Sequence, residues 1–331
     1  MLHEAGFNGT GMASIDACNR RAERPMVYAP QLQLMSGFGR RVGGTWQVPG
    51  HLAYPGDVPY VFHDAFDEYV AEQLDQRVAP MAGDPWLLGC FTDNELPLGR
   101  LILDNCLSLA KTDPSHSAAR RWLEEQNLSP DAIDDGDREA FRGFVLDTYL
   151  RRVVGPLRNA LPGHLVLGCR FYGVEKQSQT VFEVAGRHCD VISVNHYGCW
   201  TPADDVRRWA EWAGRPITVS EWYAKADDTG MSNTTGAGWT VPTQADRGAF
   251  YGHFVLSLIE SGACVGWHWF KYLDNDVTDT NAEPSNRNSN KGVVSATYEP
   301  YDQLLSAMKS VNHRVYGLAQ HFDRAREAAR S

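Results

Sequence analysis

The sequence contains no apolar run near the ~20 residues that a membrane-spanning helix needs. Its first residues, Met1-Leu2-His3-Glu4, have neither the basic n-region nor the apolar h-region of a leader. A secreted or periplasmic location is therefore expected only if the full-length gene carries a signal peptide. Long Lys/Arg blocks are also missing, and with a formal net charge of −10 this argues against a nucleic-acid groove or an anionic membrane surface as partner. The seven cysteines form no C-x-x-C pair and no zinc-like spacing. Cys90, Cys169 and Cys264 lie in or beside apolar runs, so buried free thiols are the expected state. Cys18, Cys106, Cys189 and Cys199 complete the set, and an odd number cannot fully pair within one chain. No G-x-G-x-x-G follows a strand and no H-x-x-x-H lies on a helix, so no cofactor and no metal are expected. Asp274, Asn275, Asp276 and Asp279 lack EF-hand spacing and read as a polar turn. No low-complexity linker or internal repeat marks a second domain.

Aromatics, in contrast, are plentiful. Ten Trp, thirteen Tyr and thirteen Phe exceed what a core usually takes up, and flat exposed rings suit the apolar faces of a ligand. A chain of 331 residues has room for a large core, and α/β barrels occupy this length as one unit.

Short apolar runs alternate with helical stripes. Phe66, Val70, Leu74 and Val78 recur at i, i+4 before Pro80. Phe141, Phe144, Val145, Tyr149, Val153 and Val154 do the same between Asp137 and Asn159, within an excursion holding at least two helices. Thr201-Pro202-Ala203-Asp204 is a helix start, with a cap, Pro at the first position and acids in the first turn. Further helices are expected from near Gln244 and from Tyr301 to about Leu318, and Ser36 to Gly50 reads as a Gly-rich loop holding Trp46. Strands are expected near residues 8, 28, 89, 167, 193, 219 and 266. This alternation predicts a parallel sheet with right-handed crossovers. Eight such units close a (β/α)8 TIM-type barrel, so the expected fold is a single α/β catalytic domain over 1–331 whose first strand lies upstream of Met1.

The run Trp86-Leu87-Leu88-Gly89-Cys90-Phe91-Thr92-Asp93-Asn94-Glu95 ends abruptly in polar residues, and its apolar part predicts a strand buried on both faces. Taken alone, Glu95 reads as a carboxylate that starts a loop or caps a helix rather than as a catalytic acid, and a second carboxylate is needed to change that. Pro216-Ile217-Thr218-Val219-Ser220-Glu221 ends a second strand in the same way. A pair of carboxyl groups at strand ends supplies what glycosidic cleavage needs, a proton for the leaving oxygen and an anion facing the oxocarbenium-like carbon. A metal-dependent hydrolase would need clustered ligands, and His63, His196 and His268 at expected strand ends form no H-x-H pair.

The segment Pro85 to Leu96 resembles the acid/base segment of glycoside hydrolase family fifty, the β-agarases, within the clan-A retaining enzymes. Ala5-Gly6-Phe7-Asn8, Leu167-Gly168-Cys169-Arg170-Phe171, Cys189-Asp190-Val191-Ile192-Ser193 and Val265-Gly266-Trp267-His268-Trp269-Phe270 also resemble its segments, in order. The resemblance implies Glu95 as general acid/base, Glu221 as nucleophile and Asn94 as hydrogen-bond partner of the sugar 2-hydroxyl. It places His196 or Tyr197 beside the nucleophile and Trp269 under the sugar, with Arg170 and His268 as further substrate-binding candidates. Trp200, Trp222 and Trp239 are either stacking platforms or packing residues. Around the nucleophile the chain reads Ser220-Glu221-Trp222-Tyr223 where agarases of the family read Gly-Glu-Phe-His, and Asn233 to Trp239 is a distinct loop. The implied partner is a carbohydrate, a β-linked galactan by extrapolation. A non-catalytic carbohydrate-binding protein and a clan-A glycosidase for another β-glycan are the alternatives.

Overall fold

The computed structural model describes residues 1–12, 23–44, 46–48 and 51–330. In chain order the strands are β1 (Gly9–Thr10), β2 (Val27–Tyr28), β3 (Trp46–Val48), β4 (His51–Ala53), β5 (Gly89–Cys90), β6 (Leu165–Val166), β7 (Ile192–Asn195), β8 (Ile217–Trp222), β9 (Ala224–Ala226), β10 (Trp239–Val241) and β11 (Cys264–Trp269). The α-helices are α1 (Leu34–Arg41), α2 (Phe66–Gln73), α3 (Ile102–Ser108), α4 (Pro114–Glu125), α5 (Asp135–Ala160), α6 (Gln179–His188), α7 (Ala203–Ala213), α8 (Gln244–Glu260), α9 (Asp302–Asn312) and α10 (Val315–Arg330). Every strand read from the sequence is present, most of them separated by a helix. The chain divides into two compact units.

The first unit comprises Thr10–Val194 with Glu211–Arg215. Its strands neighbour one another in chain order: β1 pairs with β2, Tyr28 bridges Leu87 and Gln31 bridges Phe91 in parallel, β5 pairs with β6 in parallel, and Phe171 bridges Val194. Consecutive parallel neighbours are what strand–helix–strand crossovers produce. Ala29, Phe91, Leu167 and Val191, one from each successive segment, meet in a shared core. Full burial of a side chain such as Phe91 is worth about 1.5–3 kcal/mol. Gly89 is required where it stands, because a Cβ there would lie 2.0 Å from the Leu165 carbonyl oxygen. The long helix α5 starts from a reciprocal capping box between Asp134 and Asp137. Of its stripe, Phe141, Val145, Tyr149, Val153 and Val154 are buried and Phe144 is half-buried, while Phe66, Val70, Leu74 and Val78 are all buried.

The second unit comprises Met1–Gly9, Asn195–Ala210 and Pro216–Ser331. Here β8 is buried at every position and pairs in parallel with β11 through two register shifts. Short β9 pairs with β10, also in parallel. Thr243 and Asp246 form the capping box of α8, which buries Phe250, Phe254, Leu258 and Ile259.

Three local expectations are corrected. Ser36 to Arg41 is helical rather than loop, and Trp46 lies on β3 of an antiparallel hairpin with β4. Helix α1 lacks a local cap: Gln33 stands in the left-handed region at φ 55°, and the carboxylate of Asp93 accepts instead from Met35 N at 2.7 Å and Ser36 N at 3.1 Å. The strand around β5 is not buried on both faces, since Trp86 is 40% and Leu88 44% exposed. The single closing helix is two, α9 and α10. Of the cysteines, Cys90, Cys106, Cys169 and Cys189 are buried and free, Cys199 and Cys264 are half-buried and free, and Cys18 lies outside the described residues.

Candidate active site

In the first unit the backbone delivers Glu95. Past β5 the chain is gripped from both sides: Leu32 N donates to Phe91 O and Leu34 N to Thr92 O, while Thr92 N donates to Gly168 O and Glu95 N to Cys169 O at 3.0 Å. This ladder ends on two non-glycine residues in the left-handed region, Glu95 at φ 49° and Arg170 at φ 54°. Such backbone costs about 1–3 kcal/mol per residue and persists where its surroundings fix it.

Asp93, two residues before Glu95, is wholly buried. Besides the amides of α1 it accepts from the Tyr149 hydroxyl at 2.6 Å. Burial pushes its carboxyl up to about 6, while these donors act against the shift. Asp93 thus ties the acid segment to α1 and α5, a role its place in the sequence does not reveal.

Glu95 and Asn94 are both half-buried. Around Glu95 stand Tyr172, whose phenol is raised by burial and then by the Glu95 charge, and Glu175, whose carboxyl is raised chiefly by burial with Glu95 contributing. Glu175 accepts from Leu98 N at 3.0 Å and so anchors the turn that leaves the site. Arg170 is buried. Its guanidinium donates to the Gln31 side chain at 2.8 Å and lies over the Phe91 ring at 5.3 Å, so it supports the strand ends from within the core.

In the second unit side chains do the holding. Glu221 lies on β8 itself, buried. Its carboxylate accepts a hydrogen bond from the Tyr197 hydroxyl, and its carbonyl accepts from His196 N at 2.8 Å. One residue earlier, Ser220 donates to the Asn195 side chain at 2.8 Å. His196 is buried with Nε2 3.2 Å from Asp205 Oδ2, and its ring meets Trp209 edge-on at 4.9 Å. The structure brings Glu221, His196 and Tyr197 together. Asp205, which the sequence shows only as a first-turn acid of a helix, is added to them.

The tryptophans separate. Trp222 is 1% exposed and stacks on Phe254 with centroids 4.1 Å apart, which corrects its candidacy as a platform. Pointing alternately to the two sides of β8, neighbouring residues 221 and 222 have different surroundings. Trp269 is half-buried, edge-on to Trp222 at 5.1 Å, with Nε1 donating to Lys291 O. His268, also half-buried, precedes it on β11. Trp200 and Trp239 are 47% and 44% exposed and meet edge-to-face at 6.0 Å.

Two lysines were not anticipated. Lys291 is buried with Nζ 4.8 Å from the Tyr223 ring centroid and 2.6 Å from Asn286 Oδ1. Burial pushes its ammonium down to about 7, with Glu283 and Glu221 acting against the shift and Lys271 and Lys225 acting with it. Lys225, on β9, donates to the carbonyls of Asn233 and Thr235, both at 2.9 Å, and of Gly236 at 3.3 Å. It clamps the loop between β9 and β10. Nothing in composition or periodicity distinguishes such lysines from solvated ones. Asp274 is spent on Asn290 Nδ2, Lys291 N, Gly292 N and Tyr301 Oη, in keeping with a structural polar turn.

No family model matches the chain. The chain is 25% identical over 304 residues to beta-agarase B of Vibrio sp. (strain JT0107), covering 77% of this chain and 31% of that protein. Beta-agarase A of the same organism is 25% identical over 356 residues, covering 86% and 35%. The chain thus spans about a third of the length of the curated relatives it matches. Among solved structures, BpGH50 superposes with TM-score 0.83 at 30% identity, covering 97% of this chain and 71% of that one. An exo-beta-agarase superposes with TM-score 0.79 at 23% identity, over 96% and 46%, which is a likeness of fold.

Proposed function

The chain belongs to glycoside hydrolase family 50, and on that premise we propose that it is a retaining glycoside hydrolase acting on β-linked, galactose-containing poly- or oligosaccharide of the agarose type. We assign Glu95 as acid/base and Glu221 as nucleophile, and read the alternating strands and helices as one (β/α)8 TIM-type catalytic domain. The observation that carries the assignment is the hydroxyl of Tyr197 directed at a buried strand-end carboxylate. A donor to the ionised form favours the anion that a nucleophile must be.

In this mechanism Glu95 protonates the glycosidic oxygen as Glu221 attacks the anomeric carbon. The bond to the leaving sugar breaks and a glycosyl ester forms on Glu221. Glu95, now ionised, takes a proton from water, which attacks the same carbon and releases Glu221. Asn94 would hydrogen-bond the sugar 2-hydroxyl, a contact that strengthens in the transition state. Trp269 would line the sugar-binding subsite, with His268 and the exposed Trp239 as further contacts. Arg170 would act indirectly by bracing the strand ends.

The test is the stereochemistry of the first product, read by NMR on neoagaro-oligosaccharides or agarose with wild type and with Glu95→Ala and Glu221→Ala. Retention in the wild type with loss of turnover in both variants is the expected result. Binding without hydrolysis by the wild type would overturn the catalytic reading in favour of a carbohydrate-binding role. A crystal structure adds a second measure, since retention calls for carboxyls ~5–5.5 Å apart and inversion for ~6.5–9.5 Å.

A further inference from the structure

His196, Cys199 and Asp205 are separated by two and five residues, a pattern that matches no familiar metal motif. The fold nevertheless gathers one ligand atom from each so that all three lie within 4.8 Å of one another. Within this group, His196 Nε2 and Asp205 Oδ2 lie 3.2 Å apart. We propose that these residues form a site for a divalent ion of the zinc class, with three protein ligands and an open fourth position.

Bond lengths of ~2.0–2.3 Å to a tetrahedral zinc place its ligand atoms ~3.3–3.8 Å apart, so the triangle has to contract by only about 1 Å to close. The donor set selects the ion. Imidazole nitrogen, thiolate sulfur and one carboxylate oxygen suit zinc, whereas magnesium and calcium take oxygen ligands. Thiolate and carboxylate together balance the charge of a divalent ion, and the thiol proton leaves to solvent as the metal–sulfur bond forms. In the resting arrangement Arg208 pairs with the other carboxylate oxygen, Oδ1 of Asp205. Its side chain is 45% exposed, so it can withdraw into water at little cost. Cys199 is half-buried, which leaves the ion a route in.

The site's place in the fold gives it a consequence. Residues 196 to 205 run from the end of β7 into α7 and carry Tyr197, the donor to Glu221, and the exposed Trp200. A metal held at both ends of this stretch fixes it as a clamp would. The site itself stands independently of the catalytic assignment.

The experiment titrates the metal-free full chain with cobalt(II) and then zinc(II). One equivalent of cobalt is expected to give a saturable thiolate-to-cobalt charge-transfer band in the near ultraviolet, which zinc abolishes while raising the Tm. Cys199→Ser should remove the band and weaken zinc binding by more than about tenfold, and Asp205→Asn should keep a band but weaken binding. No saturable band in the wild type, or an undiminished band in Cys199→Ser, overturns the proposal. Should Cys199→Ser fail to fold, maleimide labelling of the wild type with peptide mapping decides: zinc must protect Cys199, and equal labelling with and without zinc refutes the site.

Discussion

Glu95 stands in a left-handed turn five residues past β5, half-buried. Glu221 is part of a buried strand, and a tyrosine hydroxyl holds its carboxylate. On the roles proposed above, the difference matches two chemical duties. A group that gives and then takes a proton works between protonation states and needs water nearby, whereas a nucleophile has to stay ionised and hold its aim. The supports differ between the units: amide ladders and the buried Asp93 in one, and the hydroxyl of Tyr197 with the His196 amide in the other.

The sharpest way to break this comparison is to remove each carboxyl and change the leaving group. Glu221→Ala should lower kcat by about 10⁴-fold or more on every substrate, because no glycosyl ester can form. Glu95→Ala should cost about 10²–10⁴-fold on galactan. It should cost far less in the first step on an aryl β-galactoside whose phenolate leaves without a proton. Steady-state and burst kinetics on both substrates check this, and equal losses on both would dissolve the division of labour.

A smaller effect is expected from Tyr197→Phe. Loss of the donor should lower kcat by about 10–100-fold with KM little changed. Steady-state kinetics test it, and an unchanged kcat would leave Tyr197 with packing alone.

Next comes stability at the other carboxyl. Asn at position 93 accepts through one oxygen only, so Asp93→Asn should cost about 1–3 kcal/mol by urea denaturation. The pH dependence has a definite sign. The folded carboxyl titrates near 6, above its unfolded value, so the stability that Asp93 contributes is full in acid and is lost as pH rises through about 6. The variant's stability curve should lack that decline, narrowing the gap between the two proteins toward neutral pH.

The least effect is expected at the exposed ring pair. Trp200→Ala or Trp239→Ala should raise KM for long oligosaccharides by about 2–10-fold and leave kcat for aryl galactosides unchanged, in line with the ~0.5–1.5 kcal/mol of aromatic contacts.

Strand–helix alternation and both strand-end glutamates were legible because they depend on local periodicity and on abrupt changes of polarity along a strand. Helix α1 was not, because its cap comes from Asp93, 58 residues away from Met35, and two of its residues are glycines. One of them, Gly37, is dictated by the Tyr69 hydroxyl, which would lie 2.2 Å from any Cβ there. Trp222 looked as available as Trp239, since composition does not say which face of β8 meets α8. Asp205 and Lys291 had ordinary explanations as a helix-start acid and a solvated lysine. Only their tertiary neighbours give them other roles.

The clamp at Lys225 bears on how such a protein changes over generations. Its ammonium donates to three backbone carbonyls, a group that every residue type possesses. An exchange at Thr235 would forfeit its hydroxyl's bond to Arg287 O, yet leave the ammonium the same carbonyl to read. That part of the loop's hold is indifferent to which side chains its positions carry.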